Sequence, residues 1–292
     1  MSFAPYVIHL LILIGIYLIS ASSLNLILGY TGLINLGHVA LFGIGAYIST
    51  LLVIDLHIPF IIAFILSGLI VGWFGCLLVF ATKKLKGDYY ALATLGFTFV
   101  IYSLLSNLTW FTRGPLGIPG IPKPNLFGFV INTNFSYLIF VFFITLISVY
   151  TIYRIVKSPF GRLLEAMRDD EIGLRILGKN TDMLKYKAMI ISGFFVGIAG
   201  SLFAHYISFI DPSSFTLSEL ILVLTIVIVG GIASLKGTII ATFLILLIPE
   251  ALRFINLPSS LVGPLRQVIY SVILLGILLY KPRGLFGRID LE

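Results

Sequence analysis

PYVIHLLILIGIYLISASSLNLIL (residues 5–28) runs straight into GYTGLINLGHVALFGIGAY (residues 29–47). The first stretch contains no Asp, Glu, Lys or Arg. A helix needs about 20 apolar residues to cross the hydrocarbon core of a bilayer, and this run meets that length. No basic segment precedes it, and it is longer than the apolar region of a secretory signal, so it reads as a retained first span. The second stretch breaks the apolar pattern with Gly29, Gly32, Asn35 and Gly37. Two readings fit. One is a discontinuous segment whose freed backbone lines a cavity, as transporters build near their solute path. The other is a plain cytoplasmic turn, with glycine allowing tight packing.

The rest of the chain repeats the apolar pattern. Of its 292 residues, 59% are hydrophobic and 11% charged, and the mean hydropathy is +1.11. A soluble domain carries about 25% charged residues. This composition leaves too few polar groups to cover a surface facing water, whereas lipid solvates an apolar exterior. Apolar segments at 5–28, 32–54, 59–81, 89–108, 135–155, 186–207, 217–233, 238–253 and 264–280 predict an all-α integral membrane protein of about nine transmembrane helices, in one transmembrane domain over 1–292. The seventh and eighth are short and separated by the turn 234–237, and fit full helices or half-helices. Together with 25–38, the Gly-rich stretch 229–237 makes a pair of interruptions of the kind that mark binding sites in transporters.

Nine spans place the termini on opposite sides. With the C-terminus cytoplasmic and the N-terminus outside, the cytoplasmic loops hold fifteen of the 19 Lys and Arg residues, leaving Arg113, Lys123, Arg253 and Arg266 outside. Cytoplasmic loops carry such an excess. The net charge of +7 is thus an orientation signal, and no nucleic-acid partner is expected.

Two loops are long. Residues 111–134 are rich in Pro and Gly, cannot form a regular helix, and are expected across the outer mouth. Residues 156–185 form a charged cytoplasmic loop. Within it Leu163, Leu164, Met167, Leu174 and Leu177 recur at helical spacing, predicting an amphipathic helix whose apolar face needs a partner. Gly173 to Asn180 (GLRILGKN) nearly matches a phosphate-binding loop, but Asn180 replaces the magnesium-binding hydroxyl and no strand precedes it. Nucleotide binding by this chain is excluded on that ground.

Enzymatic chemistry has no foothold. There is no G-x-S-x-G, no H-E-x-x-H and no Cys/His cluster; Cys76 is the single cysteine, and the four histidines lie on separate segments. A stand-alone secondary transporter would need ion-coupling acids at mid-membrane, and the spans hold almost none. Glu219 and Glu250 are the acids beside spans, where a charge at a helix centre would cost about 2.5–3.5 kcal/mol on insertion scales. Glu250 precedes Arg253 by three residues, a spacing for a structural ion pair. Glu219 is the better candidate for the solute path.

Four stretches resemble the LivM-type permeases of bacterial branched-chain amino-acid ABC importers. They are residues 24–47, with GYTGLINLGHVALFGIGAY, KGDYYALATLGF (86–97), SPFGRLLEAMRDDEIGLRILGKN (158–180) and YKPRGLFG (280–287), supported by TRGPLGI (112–118) and residues 230–237. The resemblance implies import of leucine, isoleucine and valine across the inner (plasma) membrane by alternating access, with urea, short amides or other amino acids as the alternative cargo of related permeases. It implies a second, LivH-like permease subunit, a periplasmic solute-binding protein and two cytoplasmic ATPase subunits that hydrolyse the ATP, so that this chain holds no cofactor. It also implies that the charged loop contacts an ATPase, which assigns a coupling role to Glu165, Ala166, Arg168, Asp169, Asp170, Glu171 and Gly173. The match departs at Met167, where an alanine is typical, and Gly173 falls later than the general spacing. Polar residues of the matching stretches, Asn25, Thr31, Asn35, His38, Tyr89, Tyr90 and Thr94, join Glu219 as candidates for lining the path.

Overall fold

The computed structural model describes residues 3–126, 129–250, 259–281 and 283–287. In chain order the helices are α1 (Phe3–Thr31), α2 (His38–Ile54), α3 (Phe60–Thr82), α4 (Gly87–Asn107), α5 (Thr109–Thr112), α6 (Asn134–Lys157), α7 (Pro159–Asp169), α8 (Glu171–Ile176), α9 (Thr181–Ile207), α10 (Leu217–Gly230), α11 (Leu235–Leu247) and α12 (Ser259–Tyr280). The strands are two-residue bridges: β1 (Ile118–Pro119) pairs antiparallel with β4 (Phe209–Ile210), and β2 (Asn125–Leu126) with β3 (Phe129–Val130).

Among the described residues seven helices are long and apolar enough to cross a membrane: α1, α3, α4, α6, α9, α12, and α10 taken with the 3-10 turn that leads into it. The remaining two apolar segments of the sequence are shorter as helices. Segment 32–54 is helical only from His38, over 17 residues, and α11 has 13. At 1.5 Å per residue these rise about 26 and about 20 Å, less than a bilayer core of about 30 Å. Helices α3, α4, α6 and α12 turn large apolar side chains outward, among them Leu69, Trp73, Phe99, Phe142, Leu146 and Val272. Such a surface is stable against lipid and not against water.

Helices α1 and α9 form the centre. Both are apolar around most of their circumference and are buried on all sides along much of their length, as expected of helices without an amphipathic stripe. Helix α3 lies antiparallel against α9 through small residues. A Cβ on Gly193 would sit 2.9 Å from Gly72 Cα, and one on Gly68 would meet the Phe194 ring. Gly68 and Gly72, and Gly193 and Gly197, each spaced four apart, thus serve backbone approach. This pairing brings the end of α3, with Lys83 and Lys84 beyond it, to the same end of the bundle as α7, α8 and the start of α9. We call it the basic end.

At the opposite end the loop after α4 packs onto α9. Ile118 and Ile121 are buried, β1 pairs with β4, and His205 Nδ1 meets the Pro122 carbonyl at 2.8 Å while its Nε2 meets Ser49 Oγ at 3.1 Å. The Pro/Gly-rich loop is irregular, as its composition demands. Glu250 hydrogen-bonds Tyr6 and pairs with Arg266 at 2.8 Å. Its sequence-expected partner, Arg253, lies outside the described residues.

Candidate functional site at the helix breaks

Both Gly-rich interruptions are real breaks, and they meet on α1. After Thr31 the chain runs as non-helical backbone through residues 32–37, with Gly32 at φ +72°, and restarts as α2. His38 Nε2 lies 3.0 Å from the Ser20 carbonyl and 3.3 Å from Ser23 Oγ. The segment has therefore turned back alongside α1, and α2 begins near the middle of that helix. Asn35 and Gly37 are buried, so this is not a turn lying free in solvent.

Backbone without helical bonds needs other partners when buried, and the polar side chains of this region supply them. Thr94 Oγ1 accepts from Leu36 N at 3.0 Å, and Thr98 Oγ1 donates to the Leu36 carbonyl at 2.9 Å. Asn35 Oδ1 accepts from Gly37 N at 3.0 Å, and its Nδ2 faces Met189 Sδ at 3.6 Å. Thr31 Oγ1 donates to the Ile27 carbonyl at 2.6 Å, finishing α1.

The second break lies at 231–234, between α10 and α11. Asn25 Oδ1 accepts from Ala233 N at 3.0 Å, its Nδ2 donates to Thr238 Oγ1 at 2.7 Å, and Tyr30 Oη donates to the Ala233 carbonyl at 2.8 Å. The YKPRGLFG stretch closes over it from the other side, with Leu285 N bonded to the Val229 carbonyl at 2.8 Å and Phe286 N to the Gly230 carbonyl at 3.1 Å. Gly231 has φ +104°, and a Cβ there would stand 2.1 Å from Gly287 N. The glycines of two motifs far apart in sequence are thus explained by one contact.

The polar candidates fall into two groups. Asn25, Thr31, Asn35 and Thr94 spend their polar atoms on the backbone of the breaks. His38 and Glu219 do not: His38 Nδ1 and Glu219 Oε1 are fully buried without a hydrogen-bond partner. Both line one small cavity of about 10 Å³ with Tyr17 and Ser20, and Tyr17 lies within hydrogen-bonding reach of the Glu219 carboxylate. Tyr90 is buried, whereas Tyr89 is 74% exposed and stands apart from this region. Tyr17, Ser20, Ser23 and Thr98 were missed by sequence reasoning. The one available signal was the polar run Ser20, Ser22, Ser23, Asn25 inside an otherwise apolar span.

At the basic end the charged loop forms two helices. Ser158 Oγ caps α7 by accepting from Gly161 N at 3.3 Å, with Pro159 in the first turn. Asp170 breaks the helix and caps α8, its Oδ1 accepting from Gly173 N at 2.9 Å, as N-cap acids do. Leu164, Met167 and Leu174 are buried within this chain. Much of the expected partner face is therefore already covered. The apolar residues left outward are Ile172, Ile176 and Leu177, at 63%, 81% and 76% exposure.

Arg168 connects the two regions. Its Nη1 donates to the Gly29 carbonyl at 2.9 Å, its Nη2 pairs with Asp169 at 2.8 Å, and its stem lies where a Cβ on Gly32 would have to go. A cation on the last carbonyls of a helix is favourably placed against the helix dipole. Glu171 bonds Arg175 and the buried Lys185, each at 2.7 Å, and Arg175 also reaches Asp182 at 3.2 Å. Burial raises the Glu171 carboxyl, but the Lys185 bond and charge, Thr181 and Arg175 outweigh it and hold it below its ordinary value. Glu165 is half-buried, and Ala166 and Asp169 face outward. Among the described residues no group of His, Cys, Asp and Glu is placed to hold a metal ion.

A bundle of membrane-length helices with an apolar exterior, two helix breaks packed against α1 and a helix pair clasping the end of that helix is a multi-pass membrane protein. The chain belongs to the family described as branched-chain amino acid transport system, permease component, which matches residues 6–280. It is 36% identical to the high-affinity branched-chain amino acid transport system permease protein LivM of Escherichia coli (strain K12), over 92% of this chain and 67% of that protein. It is 26% identical to the probable branched-chain amino acid transport permease protein LivM of Methanocaldococcus jannaschii, over 94% of this chain and 92% of that one. The autoinducer 2 import system permease protein LsrC of Salmonella typhi is 25% identical over 76% of this chain and 62% of its own length. No solved structure matches.

Proposed function

We propose that this chain is a permease subunit of an ATP-driven importer that carries leucine, isoleucine and valine across the inner (plasma) membrane. The observation that carries this reading is the 36% identity to LivM along 92% of the chain. The partners are a second, LivH-like permease subunit, two cytoplasmic ATPase subunits and a periplasmic solute-binding protein. ATP is hydrolysed by the partners, and this chain holds no cofactor. The basic end faces the cytoplasm and the N-terminus lies outside, following the distribution of Lys and Arg.

The coupling step follows from contacts at the basic end. An ATPase seats the outward apolar residues of α8 in a groove and touches the exposed positions of Glu165 to Gly173. Closure of the ATPases displaces α7 and α8 and, with them, the start of α9, to which Glu171 and Arg175 tie α8 through Asp182 and Lys185. Arg168 passes the displacement to the end of α1 and to the break behind it. Packed elements of this kind switch between discrete arrangements, and such a switch opens the path to alternate sides. His38 and Glu219 are the path residues, and Asn25, Thr31, Asn35 and Thr94 hold the breaks that position them.

The test is uptake of radiolabelled leucine by cells that depend on this permease and its partners. Saturable uptake that requires ATP and is competed by isoleucine and valine is the expected result. Absence of leucine uptake, or uptake by this chain alone without ATP, refutes the reading.

A further inference from the structure

The cavity beside His38 has features that its neighbours in the fold do not require. Helix α2 is 17 residues long, starts near the middle of α1, and has no side chain capping its N-terminus. Its first N–H groups therefore lack the usual partners of a helix start. Helix α10 also begins at this level without a side-chain cap, and Glu219 lies in its first turn. The N-terminal turns of α2 and α10 thus meet at one cavity, where an acid, a hydroxyl and an imidazole converge. His38 is 1% exposed, and its Nδ1 faces the cavity with no partner, as does Glu219 Oε1. A buried polar atom left unpaired costs about 1–3 kcal/mol, so two in one cavity point to a ligand that satisfies them. The remaining wall is apolar, formed by Val39, Phe42, Leu220 and Val223.

We propose that this cavity is the closed form of the subsite that binds the zwitterionic head of the amino acid. The uncapped N-terminus of α2 takes the α-carboxylate, as interrupted helices in transporters do with anionic groups. Glu219, with Tyr17 beside it, and His38 Nδ1, the acceptor nitrogen because Nε2–H donates to the Ser20 carbonyl, take the α-ammonium. Phe42, Leu220 and Val223 meet the branched side chain. At about 10 Å³ the cavity admits one water-sized group. A whole amino acid enters only when α10 moves away from α2. On the side away from the basic end, Phe215 closes the site against Phe42 and Tyr47, with ring centroids 5.8 and 6.1 Å apart. The inference rests on the proposed function, and it adds where and by which charges an amino acid is recognised.

The test uses the chain in nanodiscs with the subunits that co-purify with it, and saturation-transfer NMR with leucine, 4-methylpentanoate (no ammonium) and 3-methylbutylamine (no carboxylate). The expected result is a leucine signal at least about tenfold stronger than that of either analogue, and lost in Glu219→Gln. Three outcomes overturn the proposal: an analogue that matches leucine on the wild type, an undiminished leucine signal in Glu219→Gln, or no leucine signal from a wild type that imports leucine in cells. The analogue comparison stands even if Glu219→Gln does not assemble. A wild type that imports no leucine in cells refutes the proposed function instead, which separates the two failures.

Discussion

Glu171 and Lys185 make a pair whose two halves should respond very differently to mutation. Lys185 Nζ lies 2.7 Å from Glu171 Oε1, with the lysine side chain 5% exposed and the glutamate 20%. Glu171 has other company, Arg175 at 2.7 Å and Thr181 at 3.1 Å. Glu171→Gln keeps the shape of the site and strands an ammonium in it. Removing one partner of a buried pair costs about 3–5 kcal/mol, because the other charge stays buried and uncompensated. Lys185→Met removes the buried charge and leaves Glu171 paired, so it should cost less than about 1.5 kcal/mol, in the range of a volume-conserving substitution. The double variant should recover most of the loss of Glu171→Gln. The assay is the melting temperature of the fluorescently tagged chain, read by size exclusion after heating. Equal destabilisation by the two single variants, or no recovery in the double, would refute the argument. A carboxyl held below its ordinary value adds stability above its unfolded-state value and loses it as pH falls through the folded-state value. The gap between wild type and Glu171→Gln should therefore be full at neutral pH and close only in acid, below the usual carboxylate range.

Three further outcomes are expected. Asn25→Ala leaves the buried Ala233 N–H without its acceptor and removes the bond to Thr238; at about 1–3 kcal/mol per stranded group, it should lower the melting temperature and abolish uptake, and wild-type stability would show that Asn25 does not hold the break. Gly231→Ala combines φ +104° with a 2.1 Å approach to Gly287 N, so the variant should fail to give a monodisperse peak on gel filtration. Replacing Ile172 and Ile176 by Glu changes only outward side chains; the ATPase should be lost from purification while the melting temperature stays within about 1 °C of wild type, since exposed substitutions rarely exceed about 0.5 kcal/mol. Reversing the charges of Arg168 and Asp170 is a less specific probe, because Arg168 holds the Gly29 carbonyl and Asp170 caps α8.

The sequence by itself determined the class of this protein. Uncharged runs such as 5–28 are membrane spans because burying a charge in hydrocarbon is costly and burying leucine is not, and this depends on composition alone. The two Gly-rich stretches were visible as interruptions, since glycine and asparagine stand out against apolar runs. The charged loop was visible through its helical period, though its break at Asp170 and the outward face of α8 were not. Tertiary structure decided which apolar residues of α7 and α8 lie inside, because burial depends on what packs opposite. It decided that the stretch after Thr31 turns back along α1, because Thr94 and Thr98, some 60 residues on, supply the hydrogen bonds that let it stay buried. It also separated Asn25 from Glu219. In sequence both are polar residues within largely apolar stretches, and a residue's own identity does not say whether its hydrogen bonds are already made. Asn25 is spent on the second break, whereas Glu219 meets His38 and Tyr17 across three helices with an oxygen still to satisfy, and no local pattern brings those three together.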